Sequence, residues 1–285
     1  MRSVRVTTPA KINLFLRVLA ARPDGYHDIE TLFQAIGLYD ELIIKETTGD
    51  SSLVVPGRPD LETEANLIMR AARWIEKKIG QGLPVKVELI KRIPVAAGLG
   101  GGSSDAAATL VGIRALFGLD LGDDDLRQGA VVLGADVPFF LTGGSAVGEG
   151  IGERVTPVNL PMNYSVLLVC PAFSVSTGVI FREFSKILTG EGREGRLWPR
   201  LQQAARVEDL LHNDLQSVTE SMHPELAEIS QLMHDAGLKA TLMSGSGPTL
   251  FGLAEPDEVD NIKRRLPLEL KTIVARPVRR GIVLH

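Results

Sequence analysis

Between an apolar strand pattern over Val85 to Ile93 and an alanine-rich helix pattern from about Ala106 to Leu116, the chain passes through Gly98-Leu99-Gly100-Gly101-Gly102-Ser103-Ser104. A strand–glycine loop–helix junction of this kind narrows the available folds sharply. Three consecutive glycines let the backbone approach a ligand closely, and the start of the following helix turns free amides and the positive end of a dipole towards an anion. Phosphate suits that geometry, and Ser103 and Ser104 add hydroxyls that would reach phosphate oxygens or a magnesium ion. As a purely structural turn capped by serines, the segment would waste its glycines. The loop is neither of the two commonest nucleotide loops. It has no Gly-Lys-Ser/Thr ending, and the dinucleotide fingerprint fails because Ser103 stands at the third glycine position.

Around this loop the rest of the chain reads as mixed α and β structure. Its 285 residues, 44% of them hydrophobic, suffice for one large core or two modest ones, and two domains are expected. Lys and Arg number 31 against 35 Asp and Glu, interspersed along the chain, which argues against a nucleic-acid or membrane-surface partner. Cys170 is the single cysteine and follows the apolar run 166–169, so it reads as an inert core thiol in a reducing compartment. No stretch approaches the roughly 20 apolar residues that span a bilayer, and a cytoplasmic protein is expected. Ala10 to Val18 alternates as a strand, with Ile12, Leu14, Leu16 and Val18 on one side and Lys11, Asn13, Phe15 and Arg17 on the other. The turn Arg22-Pro23-Asp24-Gly25 predicts a hairpin to a second strand through His27, Ile29, Thr31 and Phe33. Asn66 is placed to cap a helix bearing Leu67, Ile68, Ala71, Ala72 and Ile75. A domain boundary is expected within 155–162, followed by a strand over Tyr164 to Cys170, a polar Gly-rich insertion at 189–196 and a helix over Pro224 to Ala236.

Several side chains stand out as candidate chemistry, each with a plainer alternative. Asp136, among Val137, Pro138, Phe139 and Phe140, reads on local sequence as the cap of a short helix, yet a carboxylate with apolar neighbours also suits a working group held by a cation. Lys11 shares its strand face with Asn13 and would supply that cation, although most strand lysines are simply solvated. Tyr26 and His27 follow the hairpin glycine, where a ring and an imidazole would meet a planar ligand group; Tyr26 reads equally as a half-buried strand residue. The five histidines show no metal-ligand spacing. Gly245-Ser246-Gly247-Pro248 is either a hairpin turn or a second glycine loop closing over the ligand of the first.

Three segments in order, Pro9-Ala10-Lys11-Ile12-Asn13-Leu14, Gly98 to Ser104 and Ser244-Gly245-Ser246-Gly247-Pro248, resemble the GHMP kinase superfamily. Arg22-Pro23-Asp24-Gly25-Tyr26-His27, Asn66-Leu67-Ile68, Gly134-Ala135-Asp136-Val137-Pro138-Phe139 and Asn213-Asp214-Leu215 extend the likeness nearly end to end. The resemblance implies an α+β, two-domain fold: an N-terminal ribosomal-protein-S5-domain-2-like domain over 1–157 and a C-terminal ferredoxin-like domain over 158–285. It also implies ATP and Mg²⁺ as cofactors, with ATP held by Asn66, Pro94, Val95, Ala96, Ala97, Gly98, Leu99, Gly100, Gly101, Gly102, Ser103 and Ser104; no residue is identified as the metal's ligand. By the same resemblance Asp136 is the catalytic base and Lys11 its partner, while Asn13, Tyr26, His27, Phe181, Gly245 and Ser246 serve a small cytidine diphosphate substrate. The branch it resembles phosphorylates the 2-hydroxyl of 4-diphosphocytidyl-2-C-methyl-D-erythritol, in a monomer or weak homodimer. The alternatives are a superfamily kinase acting on a sugar, homoserine or a mevalonate derivative, and a non-catalytic nucleotide-binding regulator. Two departures stand out: Asp105 where many members have Asn, and Pro248-Thr249 where Ala-Cys is frequent. Asp105 is expected to cap the helix or face outward.

Overall fold

The computed structural model describes residues 2–188 and 196–285. Most of the predicted 189–196 insertion lies outside them. In chain order the elements are β1 (Ser3–Ala21), β2 (His27–Glu46), β3 (Ser52–Val54), α1 (Leu67–Ile79), β4 (Val85–Ile90), α2 (Gly101–Phe117), α3 (Asp123–Leu133), α4 (Val137–Thr142), β5 (Ser145–Gly150) and β6 (Arg154–Val158). They are followed by β7 (Ser165–Cys170), α5 (Thr177–Ser185), α6 (Leu197–Gln203), β8 (His212–Asn213), α7 (Gln216–Met222), α8 (Glu225–Asp235), β9 (Thr241–Met243), β10 (Leu250–Ala254), α9 (Val259–Arg265), β11 (Lys271–Ala275) and β12 (Val283–Leu284).

The first sheet is organised by the long β1–β2 hairpin. Its path runs β12-β1-β2-β4-β3, and the opening half of β2 pairs instead with β5, which carries β6, while β8 lies parallel to β1. The second sheet has the order β11-β7-β10-β9 and is antiparallel throughout. Numbered along the chain, its strands stand 4-1-3-2 with helices after the first and third, which is the ferredoxin-like β-α-β-β-α-β arrangement. The α+β expectation is met. Apolar side chains of α1, α2, α3 and α4 close one face of the first sheet. Its other face packs on the second sheet through Ile12, Leu14, Phe15 and Leu32 against Val166, Leu168, Phe251 and Leu253. Helices α5, α7, α8 and α9 cover the far side of the second sheet.

Two local details differ from the sequence reading, and both position the site. Simple alternation along β1 breaks at Leu14, because Asn13 pairs with Phe33 while Phe15 pairs with Leu32 and Leu16 with Thr31. The extra residue is a β-bulge, which moves the side chains after it to the opposite face, as far as the next register shift between Val18 and Ala20. Leu16 and Val18 therefore join the face of Lys11 and Asn13. Helix α2 begins at Gly101 rather than near Ala106, so the glycines supply its first turn. Alanines 106–108 and Leu110 bury its body completely, and the helix start is the part left facing a cavity.

Candidate functional site

A cavity of about 1000 Å³ lies between the two sheets' loops, lined by β1, the hairpin turn, the 94–103 segment, the 135–136 loop, α5 and the β9–β10 loop. Every residue assigned a catalytic or binding role from the sequence lines it except Ser104. That residue is a correction. Its hydroxyl donates to the Pro9 carbonyl at 2.6 Å and meets Thr8 Oγ1 at 2.6 Å, and its amide donates to Gly100 O at 2.9 Å. Fully buried, Ser104 ties α2 to β1 and has nothing left for a ligand. Ser103, one residue earlier, faces the cavity.

The cradle itself is backbone. Among the described residues the amides of Gly101, Gly102 and Ser103 have no backbone acceptor, as expected for the open first turn of a helix. Gly100 caps that turn in the left-handed region at φ 69°, and a Cβ there would stand 2.8 Å from the Phe140 ring and 2.9 Å from Lys11 Cγ. A side chain at this position would collide with both. The second glycine loop is a hairpin connection between β9 and β10, and it also closes on the first: Ser244 Oγ donates to Gly98 O at 2.9 Å, and the Thr249 amide reaches Ala97 O at 3.4 Å. The hairpin reading is met, and the two glycine loops are in direct contact. The Asn66 cap is present, with Oδ1 accepting from the Ile68 amide at 3.0 Å and Nδ2 donating to Leu61 O at 2.9 Å.

Lys11 is the polar centre. Its ammonium donates to Asn13 Oδ1 at 2.6 Å, and the Asn13 amide donates on to Thr31 Oγ1 at 2.8 Å, whose hydroxyl donates to Phe15 O at 2.7 Å. This chain fixes the amide's orientation. The same ammonium lies 3.5 Å from Asp136 Oδ2, with the lysine side chain 4% exposed and the aspartate 34%. Asp136 does occupy the N-cap position of α4, yet its side chain makes no capping bond. The capping alternative fails, and the carboxylate is left free to face the cavity. The solvated-lysine alternative fails as well.

At the other end of the cavity Tyr26 is 58% exposed on the turn and outside either strand, which removes the half-buried alternative. His27 is buried beside it, 5.1 Å from the Phe181 ring, and burial holds its imidazole below the ordinary histidine pKa. Tyr26, His27 and Phe181 all line this end of the cavity, so a planar group entering here meets aromatic surface.

The sequence reading missed a buried charge cluster. Lys91 Nζ lies 2.6 Å from Asp40 Oδ2 and 2.6 Å from Asp105 Oδ2, while Asp40 Oδ1 accepts the amides of Arg92 and Ile93 at 2.6 and 2.9 Å. Asp105 neither caps α2 nor faces outward. Alternation over β4 hid the cluster because Lys91 falls just past the strand's end, where a lysine normally reaches solvent. Burial drives the Asp105 carboxyl up to about 8, with Lys91 opposing and Asp40 adding to the rise. A value raised above that of the unfolded chain means that the folded state holds the proton more tightly. The associated stability is complete below the unfolded value and is lost as pH climbs towards about 8. Asp105→Asn should therefore unfold no more easily than wild type at pH 8, with its advantage shrinking as pH falls to 4. Denaturant titrations at the two pH values check this; a variant weakened more at pH 8 than at pH 4 would reverse the sign.

Comparison with known proteins bears on this geometry. Residues 66–144 match the GHMP kinases N terminal domain and residues 199–272 the GHMP kinases C terminal domain. The chain is 42% identical to a 4-diphosphocytidyl-2-C-methyl-D-erythritol kinase of Syntrophus aciditrophicus over 96% of this chain and 95% of that protein. A crystal structure of 4-(cytidine 5'-diphospho)-2C-methyl-D-erythritol kinase superimposes with a TM-score of 0.80 at 37% identity, covering 95% of this chain and 98% of that one. A homoserine kinase structure from Cytophaga hutchinsonii shares the fold, with a TM-score of 0.76 at 17% identity over 100% of this chain and 98% of its own.

Proposed function

The chain belongs to the GHMP kinases, within the group of the 4-diphosphocytidyl-2-C-methyl-D-erythritol kinases, and from that membership we propose that it moves the terminal phosphoryl group of ATP onto the 2-hydroxyl of 4-diphosphocytidyl-2-C-methyl-D-erythritol, a step of non-mevalonate isoprenoid precursor synthesis. The observation that carries this reading is one continuous cavity with Lys11 and Asp136 beside the open end of α2 and the Tyr26, His27 and Phe181 rings at its other end. The nucleotide's phosphates rest on the Gly101, Gly102 and Ser103 amides, where unbonded donors and the helix dipole favour negative charge. The acceptor hydroxyl lies at Asp136, whose carboxylate takes the proton as the new oxygen–phosphorus bond forms and the bond to the leaving diphosphate breaks. Lys11, fixed by Asn13, offsets the negative charge on the transferring group. The base for the substrate end is a cytosine between Tyr26 and Phe181, and Gly245 and Ser246 close the cavity between the two ends.

The residues present fit a magnesium ion carried in with the phosphates. Among the described residues no three His, Cys, Asp or Glu side chains form a cage, while the Ser103 hydroxyl is an oxygen donor lining the same cavity beside the open amides of α2 and would reach an ion carried there. Mg²⁺ usually keeps several waters and is held largely by substrate phosphates rather than by a dedicated protein cage. Bound there, the ion would neutralise phosphate charge during transfer. The division into domains at 157/158 has support in the end of β6 at Val158 and the start of the second sheet at Ser165.

ADP release measured with the cytidine substrate, homoserine, galactose and mevalonate tests the assignment. Turnover is expected with the first alone, because the other three present no base to the aromatic end. Comparable rates on homoserine or mevalonate would overturn the substrate, and no ADP from any acceptor would favour a nucleotide-binding regulator.

A further inference from the structure

His27 and Ser185 form a pair that the reaction chemistry does not use. The His27 ring nitrogen Nε2 lies 2.6 Å from Ser185 Oγ. The Ser185 hydroxyl donates to the Phe181 carbonyl, one turn back in α5, at 2.9 Å, a common arrangement for a helical serine. A hydroxyl carries a single proton. With that proton directed to Phe181, the oxygen meets His27 as an acceptor, so Nε2 must carry the N–H. In a neutral imidazole the other nitrogen is then a bare lone pair. Burial favours the neutral ring here. Among the described residues no hydrogen bond engages Nδ1, and His27, Ser185 and Phe181 all line the cavity at the end where Tyr26 stands exposed.

We propose that Ser185 is a specificity-determining positioning residue: it fixes His27 with Nδ1 as the acceptor, so that this end of the cavity selects a base edge carrying an amino group over one carrying a carbonyl. The inference rests on the reading of this end as the cytidine subsite and adds what that reading leaves open, the discrimination between cytidine and uridine. Cytosine presents an exocyclic amino donor to the lone pair. Uracil in the same seat presents a carbonyl oxygen, and lone pair faces lone pair. Turning the imidazole to its other tautomer would relieve that contact only by making Nε2 an acceptor, which draws the Ser185 proton away from Phe181. The serine thus sets a penalty on accommodating the wrong base without touching it.

Two measurements test the device. Nitrogen-15 correlation spectra of the unliganded protein should show His27 protonated at Nε2 and bare at Nδ1, with both tautomers sampled in Ser185→Ala. Steady-state kcat/KM should favour the cytidine over the uridine diphosphate form of the methylerythritol substrate by about 10²-fold or more in the wild type. Ser185→Ala should lose about tenfold of that preference while kcat on the cytidine substrate stays within about threefold, and Ser185→Thr, which keeps the hydroxyl, should restore the ratio. A wild-type Nδ1–H tautomer, or an unchanged ratio in Ser185→Ala, overturns the proposal. If the wild type phosphorylates neither substrate, the kinase reading fails by itself, and the ring tautomer together with relative binding of CMP and UMP still decides the role of Ser185.

Discussion

Asp136→Asn should lower kcat by about 10²-fold or more and leave KM for ATP within about threefold of wild type. The substitution keeps the shape of the side chain and removes its ability to take a proton. It also removes one partner of Lys11, at 3.5 Å, while the lysine keeps its 2.6 Å bond to Asn13. Stability should hardly change, because the carboxylate is about a third exposed and caps nothing. This separation matters, since a variant that melted early would lose activity for an uninformative reason. On the proposed reading the nucleotide's phosphates rest on the amides at the start of α2, which the substitution leaves in place, and this accounts for the steady KM. Single-turnover phosphoryl transfer and a thermal melt on the same preparation provide the check, and an Asp136→Asn enzyme working near the wild-type rate would remove the base from the mechanism.

Much of the cavity was legible in the sequence because its parts are governed by local rules. A glycine run before an alanine-rich helix specifies an open helix start, and the turn Arg22-Pro23-Asp24-Gly25 specifies where the hairpin bends, with Tyr26 on the turn and His27 at the head of β2; both are realised. Side-chain direction was less legible. Ser103 and Ser104 are neighbours of one residue type, but successive positions on a helix differ by about 100°, so one faces the cavity and the other is turned into the interior. The bulge at Leu14 has no marker in the strand pattern, since apolar residues occupy both faces of β1 there. The Asp40–Lys91–Asp105 cluster joins β2, the segment after β4 and α2, and the Ser185–His27 pair is 158 positions apart in the chain. Contacts of that range follow from the packed fold and leave no periodicity to read.

The junction between the two glycine loops yields the other large effect. Gly98 has φ 75°, where any side chain is strained, and a Cβ built there overlaps the Ser244 carbonyl oxygen and comes within 3.1 Å of Gly247 O. Both obstacles are backbone, so no rotamer change relieves them. Gly98→Ala must either part the two loops or distort the turn, and it should cost about 2–3 kcal/mol or more of stability together with about 10²-fold in kcat/KM for ATP, as a displacement of about 1 Å in a positioned site can do. Gly102→Ala is the matched control. Its Cβ would find only Leu67 Cδ1, at 3.8 Å, and alanine is favoured over glycine within a helix by about 1 kcal/mol. That variant should fold at least as well as wild type, yet it places a methyl group on the cavity side of the first turn, beside the amides proposed to hold phosphate, and KM for ATP should rise by about tenfold or more. Denaturant midpoints and nucleotide titrations on the pair therefore separate two uses of glycine: at 98 the requirement comes from the fold, and at 102 from the ligand. If Gly102→Ala bound ATP as tightly as wild type, the phosphates could not be lying against the first turn of α2, and the cradle would have to be sought elsewhere in the cavity.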